Sequence, residues 1–262
     1  MADGPRSGPW YRPVGNEEAV FQHAYAARLA LLLKGPTGCG KSRFVEAMAA
    51  RVGRPLVTVA CNDETSAADL VGRWLVKGGD TVWQDGPVTR AVRTGAILYL
   101  DEIAEAREDV IVVLHPLSDY RRRLYIDRND EELQATPEFM MVVSFNPGYR
   151  RGLKELKPST RQRFVALEFG YPPADVEAEI VQTESGVAAG VARGLVAYAA
   201  KVRALEELAL AETVSTRLLV TAGQLIAGGL APRAACQVAI VQPLTDDETA
   251  ARTLQDLADL TF

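Results

Sequence analysis

Apolar residues are arranged in two ways along this chain. Up to about residue 170 they come in short unbroken runs; beyond it they recur at helical spacing. The runs Arg28–Leu33, Pro55–Ala60, Ala96–Leu100, Glu138–Phe145 and Arg163–Phe169 are rich in Leu, Val and other strand-forming residues. They are too short for buried helices, so they predict the strands of a buried parallel sheet. Helices are predicted between them at about 16–28 (with Asn16 as N-cap), at 42–50, over 66–71, from Pro87 onward and at 108–118. Two stretches read as hairpins, 72–83, turning at Gly78-Gly79-Asp80, and 120–137. After Tyr171-Pro172-Pro173 the strand signal fades and helices are predicted at 174–183, 187–208, 215–227, 232–240 and 245–260. Thr245-Asp-Asp-Glu248 reads as a capping box for the last of these. The fold class is therefore α/β, a core built on a parallel sheet followed by a small all-α lid. The expected organisation is a flexible Gly/Pro/Ser-rich tail over 1–10, an α/β core over 11–171 carrying both hairpins, and the helical lid over 172–262.

Residues with chemical potential stand where the predicted strands end. Gly35-Pro36-Thr37-Gly38-Cys39-Gly40-Lys41-Ser42 fits G-x-x-x-x-G-K-[ST], with a strand before it and a helix after it. Such a loop holds phosphates on backbone N–H groups at a helix N-terminus, and its glycines let those groups turn inward. Lys41 is expected to reach the β- and γ-phosphates of ATP, and Ser42 to ligate Mg²⁺. Asp101, ending the strand Ile-Leu-Tyr-Leu, is placed to order the Mg²⁺ shell beside Ser42; Glu102, next in line, is placed to polarise a water. Asn146 ends the following strand, either as a hydrogen-bonding partner of the γ-phosphate or attacking water, or as a plain turn residue before Pro147. In Ser159-Thr-Arg161-Gln-Arg163-Phe164, either arginine fits the role of a cation supplied to a neighbouring subunit's phosphate, and one fits an ordinary surface ion pair. Arg217, in the helical region, is a further candidate for the same phosphate.

Composition narrows the picture. The net charge of −5 implies no broad nucleic-acid-binding face. Three scattered cysteines (Cys39, Cys61, Cys236) and two histidines make neither a zinc site nor a disulfide framework. No signal peptide is read, and no apolar run reaches the roughly 18 residues of a membrane span, so the cytoplasm is the expected compartment and membrane insertion is not expected. Arg121-Arg122-Arg123 reads as a solvated hairpin face, and Pro13-Val14-Gly15 either as a wall for adenine or as a structural turn. The Asp-Glu pair favours a hydrolase over a small-molecule kinase. A protein that binds ATP and switches shape without turnover is the alternative of a different class.

Taken together, Lys34-Gly-Pro-Thr-Gly-Cys-Gly-Lys-Ser42, Leu98-Tyr-Leu-Asp-Glu102, Ser144-Phe-Asn-Pro-Gly-Tyr149 and Ser159-Thr-Arg-Gln-Arg-Phe164 resemble the MoxR branch of AAA+ ATPases, and within it the CbbQ/NorQ family. Arg12–Glu17, Ala68–Arg73, Val112–Leu117 and Pro243–Asp247 extend the resemblance over nearly the whole chain. It implies a homo-hexameric ring with ATP at subunit boundaries, Glu102 acting in one subunit and Arg161 or Arg163 coming from the next. The hairpins would be the helix-2 insert and the pre-sensor-1 hairpin of that family, facing the pore or a partner. It also implies an adaptor with a von Willebrand factor A (VWA) domain. CbbQ with CbbO frees Rubisco of inhibitory sugar phosphates, and NorQ with NorD helps mature nitric oxide reductase. Rubisco is the favoured target, with association with carboxysomes in that case, and a NorQ-like role stays open. The sequence departs from the family pattern at Phe145, where Tyr is expected, and at Arg150-Arg151-Gly152, which is more basic than expected.

Overall fold

The computed structural model describes residues 8–147, 156–205 and 210–262. The tail before residue 8, the basic stretch at Tyr149–Gly152 and the predicted helix end at Leu208 lie outside these residues. The chain divides into two compact units, one made of the chain up to Gly35 with Lys41–Glu168, the other of Pro36–Gly40 with Phe169–Phe262.

In the first unit, chain order runs α1 (Glu17–Ala26), β1 (Leu31–Lys34), α2 (Lys41–Arg51), β2 (Leu56–Ala60), α3 (Ala67–Val71), β3 (Gly72–Lys77), β4 (Asp80–Asp85) and α4 (Pro87–Thr94). It continues with β5 (Ile97–Asp101), α5 (Glu108–Ser118), β6 (Arg123–Ile126), β7 (Glu131–Gln134), β8 (Met140–Phe145), α6 (Pro158–Arg161) and β9 (Val165–Glu168). Five strands form a parallel sheet in the order β2-β5-β8-β1-β9. Its three central strands carry the continuous apolar runs: all of β8, Leu31–Leu33 and Ile97–Leu100 are buried. The edge strands β2 and β9 bury their residues only in part, as strands with one neighbour do. All five carboxyl ends emerge at one edge, which is where an open parallel sheet binds ligands.

The hairpins form separate two-stranded sheets. β3 and β4 pair antiparallel from Gly72↔Asp85 to Lys77↔Asp80, so the turn is the dipeptide Gly78-Gly79, both at positive φ (62° and 95°). Such a turn matches strand twist and suits glycine. Trp74 and Trp83 face each other across the pair with ring centroids 5.5 Å apart. The other hairpin, β6–β7, is tied to the first through the Trp74 indole N–H, which donates to the Arg128 carbonyl at 2.9 Å. Arg93 on α4 bridges Asp85 and Glu131.

Arg121-Arg122-Arg123 is not simply a solvated face. Arg122, itself at φ 49°, is half-buried and donates to the carbonyls of Arg28, Thr136 and Phe139 at 2.7–3.0 Å. Burial lowers its pKa, and the positive charge of Arg28 adds to this. It acts as a brace between the hairpin and the amino edge of the sheet.

In the second unit, α7 (Ala174–Ser185), α8 (Ala189–Arg203), α9 (Thr216–Ala227), α10 (Pro232–Cys236), α11 (Gln242–Leu244) and α12 (Glu248–Asp259) surround their own core of Leu195, Tyr198, Leu219, Ile240 and Leu254. Three details differ from the sequence reading. Asn16 makes no side-chain cap; instead the Glu17 carboxylate in the first unit accepts the N–H groups of Val14 and Gly15, both at 2.8 Å. The helix predicted to run to Ile240 widens into a π-helix over Gln237–Val241, where the Gln242 N–H reaches back five residues to the Gln237 carbonyl. Pro243 lacks an N–H for the Ala239 carbonyl and its ring would clash there in regular helix. The last helix is capped by Asp247, which accepts from the Ala250 N–H at 2.7 Å, while Thr245 stays extended and accepts from the Asp247 N–H.

Candidate nucleotide site

β1 delivers the chain to Gly35 and α2 resumes at Lys41. Between them Gly38 and Gly40 adopt φ +69° and +101°, conformations a side chain would strain. Apart from its chain neighbours, no described atom stands within 4 Å of where a Cβ on Gly40 would lie, so the space beside the loop is open there. Lys41 is buried and its ammonium donates to the Gly35 carbonyl at 2.7 Å, folding the side chain back over the loop.

The segment Pro36–Gly40 is a part of the helical unit. The Thr37 hydroxyl donates to Glu212 at 2.9 Å, and the Tyr171 hydroxyl donates to the Thr37 carbonyl at 3.3 Å. A Cβ at Gly38 would lie 2.7 Å from the Ser215 side chain and 3.2 Å from the Cβ of Arg217. Arg217 therefore rises beside the loop, from the first turn of α9, which Ser215 caps. Cys39 is buried.

Asp101 closes β5 with an organised carboxylate. Its Oδ1 accepts from the Tyr99 hydroxyl at 2.7 Å and from the Ser144 hydroxyl. Its Oδ2 makes a long contact, 3.4 Å, with the Ser42 hydroxyl, which also lies 3.3 Å from the Tyr99 hydroxyl. Burial raises the Tyr99 pKa, so its phenol stays a donor. The Cys61 thiol is pushed up to about 12, first by burial and then by the charges of Asp101 and Glu102, so it stays protonated beside them. Ser42 and Asp101 offer two hard oxygens side by side, the donor set Mg²⁺ takes when substrate phosphates and water complete the shell.

Glu102 follows in the left-handed region at φ 55°, ψ 46°, a conformation that costs a non-glycine residue roughly 1–2 kcal/mol. Its N–H donates to the Ser144 hydroxyl at 3.1 Å. Asn146 leaves β8 one residue beyond Phe145, which is in register with Lys34 of β1, and the Gly35 N–H donates to the Phe145 carbonyl. Asp101, Glu102 and Asn146 thus come off adjoining strands at one edge of the sheet, and Ser42 in the first turn of α2 meets Asp101 there.

The two arginines ahead of β9 are held differently. The Arg161 guanidinium lies over the Phe145 ring, 5.5 Å from its centroid. Arg163 donates to Asp119 at 2.7 Å, just ahead of a strand whose first residue is in register with Leu31, the first of β1. Asp119 ends α5 and also takes two hydrogen bonds from the Arg121 guanidinium. That arginine foremost, helped by Arg163, lowers the Asp119 carboxyl to about 2. One turn back on α5, the His115 ring lies 3.2 Å from the Thr160 hydroxyl, so the arginine segment is pinned to α5 at two points.

Tyr99, Ser144 and Asp119 were not among the residues singled out in the sequence. The signal for the first two was present: each is a hydroxyl inside an otherwise apolar strand, Ile-Leu-Tyr-Leu and Met-Met-Val-Val-Ser-Phe. Tyr99 also shares a strand face with Asp101, two residues on.

A glycine-bent loop between a strand and a helix, with a carboxylate pair at the tip of another strand of the same sheet, defines a P-loop ATPase domain. Residues 30–164 match the AAA domain of the dynein-related subfamily, and residues 177–261 match the CbbQ/NirQ/NorQ C-terminal domain. Over 262 residues the chain is 58% identical to the protein NorQ of Paracoccus denitrificans (strain Pd 1222), covering 100% of this chain and 97% of that one. It is 53% identical to the protein CbbQ of Hydrogenophilus thermoluteolus over 257 residues, covering 98% and 96%. Among solved structures, a point mutant of RuvB from Thermotoga maritima shares the fold, with a TM-score of 0.56 at 14% identity over 93% of this chain and 70% of that one. The chain belongs to the CbbQ/NirQ/NorQ family of MoxR-type AAA+ ATPases.

Proposed function

We propose that this protein is an ATP-hydrolysing motor that works as a homo-hexameric ring with a VWA-domain adaptor to remodel a target protein. The observation that carries the reading is the Asp101–Glu102 pair at the tip of β5, with Asp101 Oδ2 turned to the Ser42 hydroxyl at the start of the P-loop helix. The backbone of 35–40 would cradle the phosphates and Lys41 would swing from the Gly35 carbonyl to the β- and γ-phosphates. Ser42 and Asp101 would hold Mg²⁺, which when bound neutralises charge between the phosphates. Glu102 would take the proton of the attacking water, a role worth typically 10²–10⁴-fold. Asn146 would orient that water or the γ-phosphate. Val14, half exposed with its N–H fixed by Glu17, suits a wall for adenine.

Arg161 or Arg163 would stabilise the transferring phosphoryl group of a neighbouring subunit, a contribution worth 10³–10⁵-fold in related enzymes. Arg217, beside Gly38, would read the same nucleotide and couple it to the helical unit. The slightly higher identity to NorQ supports a nitric oxide reductase as the target. The 53% identity to CbbQ keeps Rubisco as the second reading.

The test co-expresses this chain with a VWA partner, wild type or Glu102→Gln. Two assays follow, maturation of nitric oxide reductase and reactivation of ribulose-bisphosphate-inhibited Rubisco with Mg-ATP. Gain of reductase activity that Glu102→Gln abolishes supports the first reading, and recovery of carboxylation that it abolishes supports the second. ATP turnover with neither gain contradicts both targets.

A further inference from the structure

β5 and β8 run in parallel register as far as Leu100↔Val143. One residue further the backbone ladder ends and a side chain takes its place. Ser144 is fully buried, and its hydroxyl accepts the Glu102 N–H at 3.1 Å while donating to Asp101 Oδ1. A serine hydroxyl has one proton to give and two lone pairs, so this single group serves both members of the acidic pair.

The two bonds do different things. By accepting the Glu102 N–H, Ser144 holds the peptide in the left-handed turn from which the Glu102 side chain departs. Removing that acceptor withdraws a bond that favours a conformation a glutamate otherwise avoids. By donating to Asp101 Oδ1, together with Tyr99, Ser144 occupies that oxygen and turns Oδ2 to the Ser42 hydroxyl. The chain that leaves β8 beyond Ser144 carries Asn146 two residues on.

We propose that Ser144 is a positioning residue for hydrolysis, its hydroxyl setting both the outlet direction of Glu102 and the cation-facing oxygen of Asp101. This rests on the hydrolytic reading of Asp101 and Glu102 given above. It assigns the polar interruption in β8 a role in turnover and leaves nucleotide binding to the loop.

The experiment uses the full chain as wild type, Ser144→Ala, Ser144→Thr and Glu102→Gln. Three quantities are read: affinity for a fluorescent ATP analogue without Mg²⁺, steady-state kcat and KM for ATP with Mg²⁺, and amide hydrogen exchange over residues 98–106. Ser144→Ala is expected to keep the analogue's affinity, to lose roughly 10- to 100-fold in kcat, the scale of a small misplacement at a reacting centre, and to exchange faster at and around Glu102. Ser144→Thr, which keeps the hydroxyl, is expected to restore both kcat and protection. Wild-type kcat and exchange in Ser144→Ala, or a Ser144→Thr that behaves like Ser144→Ala, would overturn the proposal. So would loss of analogue binding with faster exchange throughout the α/β unit, which marks a structural role only. If Glu102→Gln is inactive while Ser144→Ala is unchanged, this proposal alone falls. If Glu102→Gln turns over like wild type, the hydrolytic reading beneath it falls.

Discussion

At the scale of single residues, polar groups that serve two partners at once hold the structure around the site together. Asp119 is the plainest case: Arg121 and Arg163 converge on one carboxylate at the end of α5. Its carboxyl is held at about 2 against 3.8 for an ordinary aspartate. A depressed carboxylate contributes its stability above the unfolded value and loses it as pH falls through the folded value. Asp119→Asn is therefore expected to melt below wild type at pH 6 by about 1–3 kcal/mol of stability, the scale of hydrogen bonds to a charged group. The two melts should converge as pH falls from about 4 toward 2. Melts that stay equally far apart at every pH would contradict the assignment. Residues of this kind were the hardest to read in the sequence. Arg122 stands in a run of three arginines, a pattern that usually means a solvated face, yet three backbone carbonyls draw it inward. No periodicity reports such a brace, because its partners are main-chain groups far along the chain.

At the scale of elements, the central strands were legible because burial on both faces demands an apolar run, as in Leu31–Leu33 and Met140–Val143. The β3–β4 turn was legible because Gly78-Gly79 is the dipeptide a two-residue turn asks for. The π-helix over Gln237–Val241 was not, since it is a local compromise with Pro243 that the amphipathic pattern passes over. The organisation of Asp101 and Glu102 was only half legible: spacing put them at a strand tip, but the αL turn and the hydroxyls that shape it come from register between β5 and β8. The hairpins lead to a prediction at this scale. Val76 on β3 is 78% exposed, with Trp74 half exposed nearby on the same strand. If this hairpin meets the adaptor or the target, Val76→Asp should leave ATP turnover by the isolated protein near wild type and reduce target remodelling severalfold. Equal remodelling by the two proteins would remove the hairpin from the working surface.

At the scale of the whole molecule, each unit has its own apolar core, so unfolding is expected in two steps and not as one cooperative event. The helical unit contains a nearly fully buried carboxylate, Glu177, which takes both terminal nitrogens of Arg203 at 2.7 Å and the Thr216 hydroxyl at 2.6 Å. Glu177→Ala leaves the Arg203 charge without its carboxylate and is expected to cost the helical unit about 3–5 kcal/mol. Calorimetry should show one transition moving down and the other staying; a single transition that moves as a block would contradict the two-unit account. Nucleotide at about 100 times its Kd should raise stability by about 2.7 kcal/mol. If this fold hydrolyses ATP with Glu102 as the base, phosphate release by the purified chain reports it. Wild type with Mg-ATP is expected to release phosphate continuously, while Glu102→Gln binds the nucleotide as tightly and turns it over at least about 100-fold more slowly. Equal rates from the two proteins would mean that Glu102 is not the base.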